Sequence, residues 1–243
     1  MRQPVIEVRE LRKVYNGVVA LDGISFRVFP GQVCGLLGGN GAGKTTTLAI
    51  LLGLLLPTSG SVRVLGVDMV RQRYRALGRM NFTSPYVDLP HRLTVWENLD
   101  VYARLYNLRR RRQRIQELAR RLDLAGLLHR HYGSLSSGQR TRVALAKALL
   151  NSPKVLLMDE PTASLDPDSA ERIRSYLLAY QKDSQATLLL ASHNMLEVER
   201  LCDQVHILRR GRIAASGSPA ELLARYGRQT LEQVFIDIAR EAS

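Results

Sequence analysis

Short apolar stretches separated by turn residues fill the first third of the chain. The segments VIEVRELRKVY and ISFRVF are rich in β-branched and aromatic residues, and QVCGLLG follows the Pro30-Gly31 turn. Runs of this composition, bounded by turn residues, are typical of strands. The first third therefore predicts short strands with turns between them.

A helical period begins at Thr94. This residue, with Glu97 three positions later, predicts a capped helix start ahead of NLDVYARLYNL. A second stretch repeats apolar residues at Ile115, Leu118, Leu122 and Leu124. The spacing predicts two or more helices with one buried face each.

Strands and helices alternate again after Pro153. KVLLMDE and ATLLLASH are short apolar runs, a helix is predicted from Pro167 between them, and QVHILRRGRIAASG follows. The order predicts an α/β domain over residues 4–225, with a helical subdomain of about residues 86–152 inserted in it. The last segment, residues 226–243, contains TLEQVFIDIAR and is predicted to form a C-terminal amphipathic helix.

Composition narrows the class of protein. The chain has 243 residues, of which 45% are hydrophobic, and this suffices for a well-buried core. The net charge of +13 favours an anionic partner such as nucleic acid, lipid or polyphosphate. The apolar run Leu48–Leu56 is too short to cross a bilayer, so a soluble, cytoplasmic chain is expected. Cys34 and Cys202 lack metal-ligand spacing and are expected to be reduced packing residues.

The stretch GLLGGNGAGKTTTLAI carries the first chemical signal. Gly38, Gly43, Lys44 and Thr45 fit G-x-x-x-x-G-K-[ST], a loop whose backbone N–H groups surround a phosphate chain. Lys44 is expected to reach the β- and γ-phosphates of ATP, and the Thr45 hydroxyl to ligate Mg²⁺. The predicted ATP-binding residues of this loop are Gly38, Gly39, Asn40, Gly41, Ala42, Gly43, Lys44, Thr45 and Thr46.

Two carboxylates end the apolar strand VLLMDE. Ligands of parallel sheets lie at the carboxyl ends of the strands, so Asp159 is expected to hold Mg²⁺ and Glu160 to polarise the attacking water. An acidic pair at a strand end is also common in a solvated turn. The phosphate loop earlier in the chain favours the catalytic interpretation.

Three further stretches follow one another in the chain: SLSSGQRTRVALAKALL, then DEPTASLDP, which begins with the two carboxylates, and then ASHN after the next strand. Their order and spacing resemble those of the ATP-binding cassette (ABC) ATPases. The resemblance covers the chain from Val5 to about Leu223. It implies a P-loop NTPase fold of the ABC type, with a mixed core sheet, an antiparallel β subdomain and an inserted helical subdomain. It also implies a dimer, either of two copies or with a paralogous ATPase subunit, that encloses two ATP molecules.

The resemblance assigns roles to further residues. The signature residues Ser136, Ser137, Gly138 and Gln139 would meet the ATP of the partner subunit, and Ser136 is also expected to cap the following helix. Ser164, Leu165 and Asp166 would form the dimer-contact loop.

Two aromatic side chains also match family positions. His193 would contact the γ-phosphate and the attacking water, and it is the third predicted catalytic residue besides Glu160 and Lys44. A lone histidine at a strand end is otherwise usually structural. Tyr15 would stack on adenine, the alternative being an ordinary core or surface tyrosine.

The sequence departs from the family in two places. Ser137 replaces the first glycine of the signature. The glutamine that the family carries at the junction with the helical subdomain is also missing. Counting forward from Gly78 places Phe82 at this position, and counting back from LTVWENL places Pro85 there. The nearby oxygens belong to Asn81, Thr83 and Ser84. We hypothesise that one of them replaces the glutamine at Mg²⁺, either directly or through a water. Asn81 is preferred because its amide matches that of glutamine with one methylene less, and the shorter reach favours the water.

The segments TVWENLDVYARLYNL and RYGRQTLEQVFIDIAR resemble the exporter branch of the family, whose ATPase subunits bind separate transmembrane permeases at the cytoplasmic face of the plasma membrane. A soluble ABC ATPase acting on nucleic acid or ribosomes is the alternative, disfavoured because sustained heptads and an aromatic stacking platform are missing. The run Arg109–Arg114 is either a solvated face or a contact for anionic inner-leaflet lipids. The transported substrate is not encoded in any motif.

Overall fold

The computed structural model describes residues 3–85, 87–163 and 165–240. Within these ranges the strands are β1 Ile6–Tyr15, β2 Val18–Val28, β3 Val33–Leu37, β4 Ser59–Val64, β5 Val67–Asp68, β6 Met80–Thr83, β7 Val155–Asp159, β8 Thr187–Ser192, β9 Gln204–Arg209 and β10 Arg212–Gly217. The helices are α1 Lys44–Leu51, α2 Tyr74–Leu77, α3 Val95–Leu105, α4 Arg111–Arg121, α5 Ser137–Leu149, α6 Pro167–Ser184, α7 Met195–Leu201, α8 Pro219–Tyr226 and α9 Leu231–Arg240.

The chain divides into two compact units. The first contains the chain up to Leu77 and from Thr187 onward, and the second contains Gly78–Ala186. Each unit contains part of the predicted chemistry, the phosphate loop in the first and the acidic pair and signature in the second.

The first unit contains an antiparallel sheet of order β2-β1-β4-β5. Ile6 and Val8 of β1 face Val64 and Val62 of β4, and all four side chains are buried. The charged residues that alternate with them in β1 lie toward solvent, as the period of two requires. The strands predicted from VIEVRELRKVY and ISFRVF are confirmed.

A second sheet of the first unit is mixed and carries the phosphate loop. Strand β3 lies between β8 and β9 and runs parallel to both, whereas β10 pairs antiparallel with β9. All residues of β3 and β8 are buried, which explains their continuous apolar sequences. The predicted α/β fold with a mixed sheet and an antiparallel β part is thus confirmed.

The second unit joins a parallel strand pair, β6 and β7, to helices α3 to α6. Helix α3 begins with the predicted capping box: the Glu97 N–H donates to the Thr94 hydroxyl, and the Glu97 side chain accepts from the Thr94 N–H. Ile115 and Leu118 of α4 are buried, as their spacing predicted. The predicted bounds of the ATPase domain, residues 4–225, and of the subdomain inserted in it, about residues 86–152, stay a prediction.

Helix α9 packs in the first unit against α7 and α8. Its buried face consists of Leu231, Val234 and Ile238, which lie three and four residues apart. Asp237 fixes the helix to the preceding turn through two hydrogen bonds from Arg228, of 2.6 and 3.0 Å. The amphipathic character predicted for TLEQVFIDIAR therefore corresponds to a docked helix.

Cys34 and Cys202 are free and buried, as predicted. Burial raises the pKa of both thiols, so each is a packing residue rather than a reactive one. Among the helices of the described ranges, none is long and apolar enough to span a bilayer.

Candidate functional site

The phosphate loop connects the buried end of β3 to the first turn of α1. Its lysine, Lys44, is only 7% exposed, and its Nζ donates to the carbonyls of Gly38 at 2.7 Å and Gly39 at 3.2 Å. The loop backbone thus curves around the lysine ammonium. This arrangement concentrates positive charge inside a concave backbone turn, as a polyphosphate site requires.

Two glycines of the loop are required by close backbone approach. A Cβ at Gly43 would lie 2.5 Å from Leu21 Cδ2, and the residue has a φ of +106° that disfavours other residues. A Cβ at Gly38 would lie 2.6 Å from the Leu208 carbonyl oxygen. The loop therefore fits against β2 and β9 only when these positions carry no side chain.

The first turn of α1 supplies the remaining predicted ATP contacts. Thr45 is exposed and Thr46 is half-buried. The next residue, Thr47, is buried and donates its hydroxyl hydrogen to the Gly43 carbonyl at 2.8 Å, which joins the helix to the loop. No acidic side chain lies in this turn, so the positive end of the helix dipole favours an anion there.

Tyr15 and His193 also lie in the first unit. Tyr15 ends β1, is 42% exposed, and has the Lys13 ammonium 4.9 Å from its ring centroid. His193 is exposed and follows β8 directly. Its backbone is fixed on both sides, because the Asn194 N–H donates to the Ser192 hydroxyl at 3.1 Å and that hydroxyl donates to Glu197 at 2.8 Å.

The acidic pair lies in the second unit. Asp159 is the last residue of β7 and is 3% exposed. Glu160 has a φ of +48°, a left-handed conformation that is uncommon for a residue with a side chain. Its carbonyl accepts from the Ala163 N–H at 3.1 Å. A backbone held in this sparsely populated region is frequent at functional sites, where surrounding contacts maintain it.

The signature begins helix α5. Ser136 is its N-cap: the Gln139 N–H donates to the Ser136 hydroxyl at 3.3 Å, and the Ser136 N–H donates to Gln139 Oε1 at 3.1 Å. The predicted capping role of Ser136 is confirmed. Ser136 and Ser137 are both exposed, so the serine that replaces the family glycine lies toward solvent.

The dimer-contact loop follows the acidic pair. A Cβ at Gly138 would lie 3.2 Å from Leu165 Cδ2, so this loop and the signature are neighbours in the second unit. Asp166 caps α6 by accepting from the Ser169 N–H at 3.0 Å. Hydrogen bonds from Ser169 lower the pKa of the Asp166 carboxyl. Ser164, the remaining predicted residue, lies outside the described residues.

Asn81 has a structural role that the sequence alone did not indicate. Its Nδ2 donates to the Tyr106 hydroxyl at 3.1 Å and to Asn151 Oδ1 at 2.9 Å, and its Oδ1 accepts from the Phe82 N–H at 2.9 Å. The side chain is 7% exposed. These hydrogen bonds join β6 to the ends of α3 and α5 inside the second unit. The hypothesis that Asn81, Thr83 or Ser84 replaces the missing glutamine at Mg²⁺ stays a prediction.

Sequence reasoning missed Lys147. This residue of α5 is 8% exposed, and its Nζ donates to the Phe82 carbonyl at 3.2 Å and lies 5.5 Å from the Tyr102 ring centroid. Burial lowers the pKa of the ammonium. Lys147 thus ties the end of β6 to the signature helix. The only sequence signal was a lysine inside the apolar run of α5.

We expect Asn81→Ala to lower the free energy of unfolding by about 1–3 kcal/mol, because it leaves half-buried groups of Tyr106, Asn151 and Phe82 without this partner. Urea unfolding measures this change, and Gln116→Ala, at an exposed site of α4, is the matched control. An unchanged stability together with a higher Mg²⁺ requirement for turnover would contradict the structural role and support the ligand hypothesis.

A groove of about 490 Å³ opens beside the signature helix in the second unit. The loop after β6 forms one wall with Ser84–Pro85 and Val87–Asp88, and Tyr132 with the first turns of α5 forms the other. Arg140 lies in this wall and donates to the Gly133 carbonyl at 2.9 Å. We call this feature the α5 groove.

Comparison with known proteins gives consistent similarities. The family described as "ABC transporter" matches residues 21–163. The Nod factor export ATP-binding protein I of Ralstonia nicotianae is 41% identical over 229 residues, which are 90% of this chain and 69% of that protein. The probable multidrug ABC transporter ATP-binding protein YbhF of Escherichia coli is 33% identical and covers 98% of this chain, which spans 42% of that longer protein. A solved structure described as the ATP-binding subunit of an ABC transporter superposes with a TM-score of 0.89 at 26% identity, covering 97% of this chain and 100% of that one.

Proposed function

The chain belongs to the ABC transporter family of ATP-binding proteins, and we propose that it hydrolyses ATP to drive export through a separate transmembrane permease. ATP binding and hydrolysis follow from family membership. The proposal adds the residues that carry these steps, a head-to-tail dimer around two ATP molecules, and the direction of transport.

The curved loop around Lys44 is the observation that carries the proposal. Its ammonium is buried at the centre of the turn, and its glycines leave the backbone open to a phosphate chain. We assign the triphosphate to Gly38–Thr46 and the adenine to the exposed ring of Tyr15. Tyr15 suits this role because a stacking ring must be accessible to its ligand.

Mg²⁺ is assigned to Thr45 and Asp159. A hydroxyl and a carboxylate are oxygen donors of the kind Mg²⁺ prefers, and it usually takes only one or two protein ligands besides phosphate oxygens and water. In keeping with this, the described residues contain no cluster of three His, Cys, Asp or Glu residues that would hold a metal alone. When bound, the ion neutralises charge on the β- and γ-phosphates.

Glu160 is assigned as the general base for the attacking water, and His193 as the contact of the water and the γ-phosphate. The exposed Ser136 at the start of α5 is assigned to the ATP of the partner subunit. Its hydroxyl oxygen accepts within the helix cap while its hydrogen remains able to donate, and the helix N-terminus favours the anionic phosphate.

Export is supported by the relatives, whose names specify Nod factor export and multidrug transport. We assign the α5 groove to a short segment of the permease, because its lining combines apolar side chains such as Val87 and Leu135 with one acidic and one basic side chain, Asp88 and Arg140. The protein would then lie peripherally at the cytoplasmic face of the membrane. The alternative, a soluble ABC ATPase acting on nucleic acid, has no comparable support among these relatives.

We expect Lys44→Ala to weaken ATP binding by about tenfold to a hundredfold, equal to about 1.5–3 kcal/mol for a charge-assisted contact. The substitution removes the phosphate contact and also releases the carbonyls of Gly38 and Gly39. Equilibrium ATP binding measures it, with Lys182→Ala on the exposed side of α6 as the matched control. ATP binding equal to that of Lys182→Ala would refute the assigned site.

Two measurements test the transport assignment. This chain should copurify with the permease, and the ATPase activity of the complex should rise when the transported substrate is added.

A further inference from the structure

Helix α9 lies against the phosphate loop on the side of Gly39. A cavity of about 190 Å³ has Gly39–Ala42 on one side and three residues of α9, Phe235, Ile238 and Ala239, on another. A Cβ added at Gly39 would lie 4.0 Å from Phe235 Cζ, so the space between the glycine and the ring would just hold a methyl group. The aromatic ring therefore closes this side of the loop at Gly39.

The docking of α9 has anchors other than Phe235. The buried face of the helix is formed by Leu231, Val234 and Ile238, whereas Phe235 is only half-buried and lines the cavity. Asp237 adds the ion pair with Arg228. A substitution at Phe235 can therefore change the wall of the loop while the helix keeps its own anchors.

The end of β9 contacts both the loop and the helix. On the loop side, the Leu208 carbonyl lies against Gly38, and the Gly211 N–H donates to the Ala42 carbonyl at 3.2 Å. On the helix side, the Arg209 guanidinium donates to the carbonyl of Ile238. One short turn of chain thus holds the phosphate loop and the last turn of α9 together.

We propose that Phe235 and Arg209 are positioning residues that hold the phosphate loop in its ATP-binding shape. They act through the backbone of Gly39–Ala42 and not through contact with the nucleotide. A loop kept in its binding conformation before the ligand arrives loses less conformational entropy on binding, so its affinity is higher. This inference rests on the assignment of the triphosphate to Gly38–Thr46.

The coupling has a reciprocal consequence. If docked α9 raises the affinity of the loop for ATP, then bound ATP must stabilise the docking of α9 by the same factor. ATP should therefore slow hydrogen exchange of the amides in Leu231–Arg240. A helix that served only to complete the core would show no slowing beyond the global stabilisation that ATP gives the whole fold.

The first test compares variants of α9. Phe235→Ala should raise both the Kd and the KM for ATP by about fivefold, the equivalent of one packing contact, while kcat at saturating ATP changes by less than about twofold. Phe235→Leu, which keeps an apolar side chain at the cavity, should recover most of the affinity. Ile236→Ala is the matched control, because Ile236 is the next residue and is 40% exposed. Equal Kd values for Phe235→Ala and Ile236→Ala would overturn the inference.

The second test uses the unmodified protein. Hydrogen exchange followed by mass spectrometry is recorded with and without ATP, so the result does not depend on whether any variant folds. Exchange across Leu231–Arg240 that slows with ATP by more than the average over the chain supports the inference. A slowing that is absent at saturating ATP, or no larger than that average, overturns it.

The Lys44→Ala variant separates the two proposals. If this variant binds ATP normally, both the assigned ATP site and the inference are wrong. The other outcome is that Lys44→Ala weakens ATP binding, whereas Phe235→Ala does not and ATP does not slow hydrogen exchange in α9. In that case the assigned ATP site is supported and only the positioning role is wrong.

Discussion

Replacing Glu160 with Gln is expected to stop ATP hydrolysis while leaving ATP binding intact. Glutamine keeps the shape of the side chain and removes the base, and loss of general base catalysis lowers kcat by about 10²- to 10⁴-fold. The left-handed backbone at Glu160 should be retained, because the turn to Ala163 is closed by a hydrogen bond between backbone atoms. The variant should therefore accumulate as a closed dimer with ATP bound.

Steady-state ATPase assays and size-exclusion chromatography with Mg-ATP measure the two halves of this result. Glu232→Gln, at an exposed position of α9, removes the same charge away from the assigned site and should behave as wild type. Wild-type turnover in Glu160→Gln would show that another group accepts the proton. If Glu160→Gln is inactive but stays monomeric with Mg-ATP, the assignment of Glu160 as the general base stands and the prediction of a closed dimer is wrong.

The phosphate loop could be predicted because its chemistry is local. Gly43 needs a left-handed backbone beside Leu21, and Lys44 bonds to carbonyls only five and six residues away. A short stretch of sequence therefore contains both the loop and the reason for its residues. The caps at Thr94 and Ser136 were predictable for the same reason, since each bonds three residues ahead.

Asn81 shows why the rest could not be predicted. Its amide bonds to Tyr106 and to Asn151, which is 70 residues away along the chain, and only the folded second unit brings them together. From the sequence, Asn81 was simply the residue most like the missing glutamine. Lys147 was invisible in the same way, because a lysine next to apolar residues gives no sign that its partner is the carbonyl of Phe82.

Helix α9 combines both situations. The spacing of Leu231, Val234 and Ile238 predicts an amphipathic helix without any knowledge of what it covers. Its neighbour, the loop at Gly39, lies 196 residues before Phe235 in the sequence (235 − 39). Phe235 lies beside that apolar stripe, so the pattern gave no reason to single it out.

Replacing Ser136 with Arg is expected to stop hydrolysis without weakening ATP binding to the monomer. Ser136 is exposed at the start of α5 in the second unit, whereas the loop around Lys44 belongs to the first. The signature is assigned to the ATP of the partner subunit, so the large side chain blocks contact between the signature and that ATP and leaves each monomer's own site unchanged. We expect unchanged Kd for ATP in the monomer and a loss of turnover of at least about 100-fold, the scale for removing one preorganised donor. Ser61→Arg, at an exposed serine of β4, is the control for an added arginine.

Mixing two inactive variants gives the sharper form of this prediction. A dimer of one Ser136→Arg subunit and one Lys44→Ala subunit contains one site with both defects and one site with neither. Random pairing of equal amounts makes half of the dimers mixed, so the mixture should recover about a quarter of the wild-type ATPase rate if the two sites work independently. If the sites are coupled and one intact site cannot turn over, ATP should still close the mixed dimer but neither homodimer, which size-exclusion chromatography with Mg-ATP detects. Absence of both activity and closure in the mixture, together with a weakened Kd in the Ser136→Arg monomer, would mean that the signature serves the ATP of its own subunit.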